Sequence, residues 1–285
     1  MHGSTGIQGG SLVSRMIDEG HQVLALTRDP TRSVVPKGAA PVFVDLSDMQ
    51  SLISAYSSAD MVAVHLPRLY DPRQAIAQAE RVLEALQRSR VTKAVFNSSI
   101  PVPPTPSDCG YIQARYILAR SLAQVVEQAS IVGPAGPYME NLTQASRVRH
   151  LLSQGELAYP LPPYLPLCWV SAQDVTDVMA DCLLAERPHQ VTWVKGPDLL
   201  TGNEIAAMLS PAVQEEVTWR TQTPAEYEAM TAEDFGAEVA AGSREQYERM
   251  ARSEVPSLMP GHTCIGVTTF HSWASEQPWR SFAEG

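Results

Sequence analysis

The stretch Gly3-Ser4-Thr5-Gly6-Ile7-Gln8-Gly9-Gly10 decides the reading of this chain. Its glycines, spaced G-x-x-G-x-x-G, run straight into an apolar helical stripe of Leu12, Val13, Met16 and Ile17. Glycine permits a tight turn and close approach of backbone to a pyrophosphate, and the N–H groups at a helix start attract anions. On this reading Gly3 and Gly6 shape the turn, and Gly9 lets the helix pack near a sheet. Ser4, Thr5, Ile7 and Gln8 then present backbone to a dinucleotide. Such turns also serve purely as turns, so the context has to decide.

The context favours a dinucleotide. Gly20 is placed as a helix stop, and Gln22 to Thr27 (QVLALT) reads as a buried strand. Where an acid would hold the ribose 2′-OH of NAD stands Arg28, whose guanidinium suits a 2′-phosphate, so NADP(H) is expected over NAD(H). Arg32 and Lys37 offer a second charge. The alternative is that Arg28 is simply a solvated loop residue.

The strand that should deliver the chain to this turn is missing. Only Met1 and His2 precede Gly3, whereas strands average about 5–6 residues. Its place is at the sheet centre, between Gln22–Thr27 and Met61–Leu66, whose edges it would pair. Two outcomes are expected: residues upstream of Met1 supply it, or those two strands close on each other and the Gly3–Gly10 turn is poorly ordered without ligand.

Downstream, short apolar runs alternate with helical stretches. Strands are predicted at Gln22–Thr27, Pro41–Val44, Met61–Leu66, Lys93–Ser98 and Ser130–Gly133, with helices at Met49–Tyr56, Arg73–Arg88 and Tyr111–Gln128. The pattern implies an α/β fold, a doubly wound parallel sheet with helices on both faces over residues 1–140. After residue 140 helices dominate, at Asn141–Ser153, Gln173–Ala185, Asn203–Leu209 and Pro224–Arg252, with one strand at Val191–Lys195. Residues 141–285 therefore read as a smaller, mostly helical substrate lobe, with some segments returning to the main sheet.

Ligands of such sheets sit at the carboxyl ends of the strands. That rule selects Arg28 and Asp45 for the adenosine end, Leu66 and Pro67 along the path, and Ser98, Ser99 and Tyr138 nearer the nicotinamide. Tyr138 and Asn141 line a substrate pocket on this reading. Two proline-rich segments, Pro101–Pro106 and Pro160–Pro166, are either pocket walls or stiff connectors; Tyr159 borders the second and Tyr164 lies in it, and Tyr164 is placed in the pocket. His65, ending an apolar strand, reads as a packed histidine first and a catalytic one second.

The net charge of −10, from 21 basic and 31 acidic residues, argues against a nucleic-acid surface. No apolar run reaches the roughly 18 residues of a membrane span and no leader is evident, so a soluble cytoplasmic protein without a membrane partner is expected. Cys109, Cys168, Cys182 and Cys264 form no C-x-x-C pair, which fits reduced thiols and no metal site. The oligomeric state stays open, with a homodimer among the alternatives.

Several stretches together resemble the NmrA-like family of atypical short-chain dehydrogenases. They are the Gly3–Gly10 turn, Gly20-His21-Gln22-Val23 leading to Thr27-Arg28-Asp29-Pro30, Val44-Asp45-Leu46, and Tyr138-Met139-Glu140-Asn141-Leu142. Trp169-Val170-Ser171-Ala172-Gln173-Asp174-Val175 and Gly196-Pro197 with Leu200-Thr201-Gly202-Asn203-Glu204-Ile205-Ala206 follow in order. The resemblance implies a Rossmann domain binding NADP(H) and a small substrate lobe. The family includes NADPH-dependent quinone reductases, reductases of specialised metabolism, and non-catalytic regulators that sense the NADP redox state.

Carbonyl-reducing short-chain dehydrogenases use Y-x-x-x-K, and the corresponding spacing here is Tyr111-Ile112-Gln113-Ala114-Arg115. Residues four apart share a helix face, so Arg115 is expected beside Tyr111, favouring its phenolate, with Ser98 or Ser99 completing a trio on the substrate oxygen. Tyr111, Arg115 and Ser99 are thus the catalytic expectation, and Arg115 is also a cofactor contact. Against this, arginine does not relay a proton, Tyr116 competes as the phenol, and NmrA-like proteins often keep only a basic residue here.

The leading functional expectation is an NADPH-dependent oxidoreductase passing a hydride to a small apolar conjugated carbonyl, quinone or natural-product intermediate. The alternatives are an NADP(H)-sensing regulator without chemistry, and a cofactor-deficient member with redox-neutral chemistry.

Overall fold

A computed structural model describes residues 1–251 and 258–284. The chain starts with α1 (Ile7–Asp18), β1 (Leu24–Thr27), β2 (Ala40–Phe43), α2 (Met49–Ser57), β3 (Met61–His65) and α3 (Pro72–Ser89). It continues through β4 (Lys93–Asn97), α4 (Gly110–Val125), β5 (Gln128–Pro134), α5 (Ala145–Gln154), β6 (Glu156–Tyr159), α6 (Ala172–Leu184) and β7 (Val191–Lys195). The rest is α7 (Gly202–Val213), β8 (Thr218–Thr221), α8 (Pro224–Phe235), α9 (Ala237–Ala251), β9 (His262–Ile265), α10 (Phe270–Glu276) and α11 (Trp279–Phe282).

Two compact units result. The first comprises Met1–Pro134, Ala172–Val194 and Leu258–Cys264; the second comprises Ala135–Ser171, Lys195–Ser257 and Ile265–Gly285. In the first unit β3, β4, β5 and β7 pair in parallel, and β9 lies beyond β7. β3, β4 and most of β5 are buried apolar runs, as a sheet covered on both faces demands. α2, α3 and α4 pack side by side into one core with these strands, through Leu52, Tyr56, Val82, Leu86, Leu118 and Leu122. α1 packs on α6, completing the doubly wound arrangement.

At the sheet centre neither strand edge closes on the other. β1 pairs only with β2, in a separate two-stranded sheet. Met1 and His2 lie in the gap: the Leu26 N–H donates to the Met1 carbonyl at 3.0 Å and the His2 N–H to the Ala63 carbonyl at 3.0 Å. The expected closure of β1 on β3 is therefore corrected. Met1 also donates its amino group to the Leu24 carbonyl at 2.8 Å, so the two residues make two hydrogen bonds to β1 and one to β3, and the Gly3–Gly6 turn follows directly from them.

In the second unit β6 and β8 form a parallel pair that sequence periodicity did not indicate. They lie against an aromatic core of Tyr159, Trp169, Phe270, Trp273 and Trp279. Two predicted helices are divided. Asn141–Ser153 becomes a 3-10 turn (Met139–Thr143) and α5, because Gln144 between them is extended (ψ 134°) and serves as the N-cap of α5. Pro224–Arg252 becomes α8 and α9, broken at Gly236, whose φ of +83° suits glycine alone; Arg252 itself lies outside the described residues. No helix among the described residues is long and apolar enough to cross a membrane.

Candidate functional site

The turn is built by backbone constraints local to it. Gly3 adopts φ +64°, and a Cβ there would stand 3.3 Å from the His65 ring. A Cβ on Gly9 would fall 2.1 Å from the Gly3 carbonyl oxygen, so Gly9 is required by the turn itself rather than by helix–sheet packing, a correction to the sequence reading. Around Gly6 only the Gly3 oxygen lies within reach of a Cβ, at 3.5 Å, which leaves the outer side of the turn open. Gly6 is the N-cap of α1 with no side-chain capping bond, and no acidic residue occupies the first turn. Helix N–H groups left without a cap and free of acid are a receptor for phosphate. Ser4 is buried and its hydroxyl donates to the Leu26 carbonyl, so its side chain anchors the turn to β1, while Thr5 and Ile7 are exposed.

The ends of β3 and β4 meet this turn. The Asn97 amide donates to Gln8 Oε1 at 2.8 Å, while Asn97 Oδ1 accepts the Ser99 N–H at 2.8 Å. Ser99 holds φ +59°, rare for a residue with a Cβ, and its hydroxyl lies 3.5 Å from His65 Nδ1. Burial pushes His65 down to about 4, and the charges of Arg115 and Arg68 act the same way, so the ring is neutral at pH 7. Ser98 points elsewhere: fully buried, its hydroxyl donates to the Ile100 carbonyl at 2.8 Å.

Arg115 is 1% exposed and spends its donors on backbone. Nε reaches the Ser98 carbonyl at 2.9 Å, Nη1 the Tyr111 carbonyl at 3.0 Å, and Nη2 the Leu66 and Pro67 carbonyls at 3.0 and 3.4 Å. Its guanidinium carbon stands 3.6 Å from the centroid of the Tyr111 ring, whose plane also stacks on Tyr70 at 5.0 Å. The arginine thus faces the π-surface of Tyr111, and the helix spacing brings the pair together as expected but in this geometry. Burial lowers the Arg115 pKa, against which the carbonyls and the tyrosine face hold the charge. Arg115 is a positioning residue that fixes the β3 and β4 exits, the segment holding Leu66 and Pro67.

At the far end of β1, Asp29 Oδ1 accepts the N–H groups of Thr31 and Arg32 and the Thr31 hydroxyl, shaping a tight loop. Those bonds hold its pKa below the ordinary value. Arg28, Arg32 and Lys37 stay exposed, their side chains with no hydrogen bond or ion pair among the described residues. Asp45 Oδ1 accepts the Ser47 N–H and hydroxyl, each at 2.7 Å, which lowers its pKa, with Arg28 and Arg81 adding to the effect.

The three residues assigned to a substrate pocket fall in the second unit and in different surroundings. Tyr138 is buried and bridges to Val170 through its backbone, and the Asn141 carbonyl accepts Arg147 Nη1. Tyr164 is 74% exposed, on a turn between prolines. Sequence reading passed over Asn97 and Gln8 as a pair; Asn97, a polar residue closing an apolar run (KAVFN), was the available signal.

The family model of the NmrA-like family matches residues 1–253. The chain belongs to the NmrA-like family. An NAD(P)H azoreductase from Xenophilus azovorans is 26% identical over 288 residues, spanning 99% of this chain and 94% of that protein. Among solved structures, a nucleoside-diphosphate-sugar epimerase from Staphylococcus aureus superposes with a TM-score of 0.74 at 17% identity, over 96% of this chain and 98% of its own. The triphenylmethane reductase of Citrobacter sp., complexed with NADP(H), gives 0.71 at 15% identity, over 90% and 95%. At these identities the structural likeness establishes the Rossmann-type fold of this family member.

Proposed function

We propose that this NmrA-like protein is an NADP(H)-dependent reductase that delivers a hydride to a small apolar conjugated acceptor, of the quinone, enone or azo type. The observation that carries the reading is the open, uncapped start of α1 beside Gly6, together with Arg28 standing unpaired at the end of β1. The azoreductase likeness over 99% of the chain supports it. In this assignment the N–H groups of Ile7 and Gln8 hold the pyrophosphate, and Arg28, with Arg32 or Lys37, holds the 2′-phosphate. Asp45 lies toward the adenosine, and Leu66 and Pro67 line the cofactor path.

When bound, NADPH supplies the hydride. The chain's own part is to orient and to protonate. Ser99 and Tyr111 are the hydroxyls assigned to the acceptor oxygen or nitrogen, and neutral His65 keeps the Ser99 hydroxyl oriented at low charge cost. Arg115 acts through the carbonyls that it fixes. The second unit is assigned as the substrate lobe, with Tyr138 and Asn141 as its pocket residues.

The test is nicotinamide oxidation with saturating NADPH and a panel of quinones, enones and azo dyes. Turnover on at least one class, reduced tenfold or more in Ser99→Ala, is expected. Saturable NADPH binding without turnover on any class would replace this reading by a cofactor-sensing role.

A further inference from the structure

The second unit holds a cavity of its own, about 150 Å³ in volume, whose apolar walls come from Pro160, Pro162, Pro224, Tyr227 and Tyr247. The two tyrosines meet edge to face, with centroids 5.0 Å apart and planes at 65°. Apolar space of this volume takes one benzene-sized ring, well below the several hundred Å³ of a drug-sized pocket.

Polar side chains also belong to the wall, but their polar atoms are engaged with residues outside it or with one another. The Tyr247 hydroxyl lies 2.5 Å from that of Tyr159, and the Thr221 hydroxyl donates to the Leu161 carbonyl at 3.2 Å. Gln222 donates its amide to Met230 Sδ at 3.4 Å, and its Oε1 is buried, out of reach of anything in the cavity. Arg244 donates to Glu228 at 2.6 Å and lies 3.6 Å from Glu248, so the wall's cation and its carboxylates answer each other. A ligand hydroxyl, amino group or carboxylate that entered would give up water for no partner in return, at a cost of about 1–3 kcal/mol for a neutral group and more for a charge.

Apolar walls, room for one ring and polar groups turned to other partners describe one ligand class. We propose that this cavity binds a single uncharged hydrocarbon ring among its prolines and tyrosines, and that polar substituents on the ring add nothing to its affinity. Nothing in that chemistry draws on the dinucleotide turn, so the site stands or falls apart from the reductase reading.

The experiment is a titration of the full chain, without nucleotide, with benzene, phenol, aniline and benzoate, followed by ligand-observed NMR, in wild type and Tyr227→Ala. Saturable benzene binding with a Kd of about 1 mM is expected, with magnetisation transfer from bound benzene to the ring protons of Tyr227 and Tyr247. Phenol and aniline should bind no tighter than benzene, and benzoate at least tenfold more weakly. Tyr227→Ala, which removes one wall, should weaken benzene at least fivefold. No saturable benzene binding, phenol or aniline more than threefold tighter than benzene, benzoate as tight as benzene, transfer to other residues alone, or benzene affinity untouched by Tyr227→Ala would each overturn the assignment. Should that variant not fold, the wild-type ligand order and the protons reached by benzene decide alone.

Discussion

Asn97 donates its side-chain amide to Gln8 Oε1 at 2.8 Å, tying the exit of β4 to the first turn of α1. The same residue holds the Ser99 N–H, so one side chain aligns both the turn proposed to hold the pyrophosphate and the proposed catalytic serine. Asn97→Ala should weaken NADPH binding about three- to tenfold and lower turnover further. It should also destabilise the fold by about 1–2 kcal/mol, since the partly buried Gln8 and Ser99 lose their bonds. Comparing the nucleotide Kd with kcat in this variant separates the two effects; a variant with both unchanged would show the tie to be idle.

Arg115 fixes four carbonyls from within the protein, and no shorter or apolar side chain replaces it. Arg115→Met should destabilise by about 3 kcal/mol or more, because the Ser98 and Leu66 carbonyls stay buried without this donor. Arg115→Lys keeps the charge but not the fork, so it should recover only part of that loss. Urea unfolding of the three proteins checks the order.

Gly9→Ala places a methyl group where the Gly3 carbonyl stands, so the turn has to open. Loss of nucleotide binding by at least tenfold is expected, with a stability loss of about 2 kcal/mol. Gly6→Ala, where a Cβ meets only ordinary contact, should leave stability within about 1 kcal/mol of wild type and weaken binding by crowding the phosphate. Thermal unfolding with and without NADPH measures both.

His65 has its folded pKa pushed down to about 4 from an unfolded value near 6.5. Between those values the unfolded state binds more protons, so stability is fully present above about pH 6.5 and falls as the pH drops toward 4. Allowing for partial exposure of the ring, the loss amounts to about 2 kcal/mol. In His65→Asn this part of the acid dependence should vanish, as read from urea midpoints at pH 7 and pH 4.5. An unchanged slope would place the acid sensitivity elsewhere.

The Rossmann core was legible because β3, β4 and β5 are short apolar runs at regular spacing, and each helix carries a stripe of period 3.6. β6 and β8 escaped notice because each has four residues, and Thr218–Thr221 is half exposed, without the apolar signature of a buried strand. At the site, the glycines and Arg28 were readable from local backbone and charge rules. The orientation of Arg115 was not: helical spacing brings it to Tyr111, but the carbonyls of Ser98 and Leu66, distant in sequence, decide which way its fork points. The Asn97–Gln8 bond joins residues 89 positions apart, a tertiary contact that no local pattern encodes.

Arg28 is the proposed 2′-phosphate contact of a working NADP(H) site at the Gly3–Gly10 turn. Calorimetric titration of the wild-type protein and Arg28→Ala with NADPH and NADH tests it most directly. One saturable NADPH site, at least tenfold tighter than NADH, is expected, with loss of that preference in Arg28→Ala and NADH affinity unchanged. Binding of neither nucleotide by the folded wild-type protein, or an NADPH preference that survives Arg28→Ala intact, would contradict it.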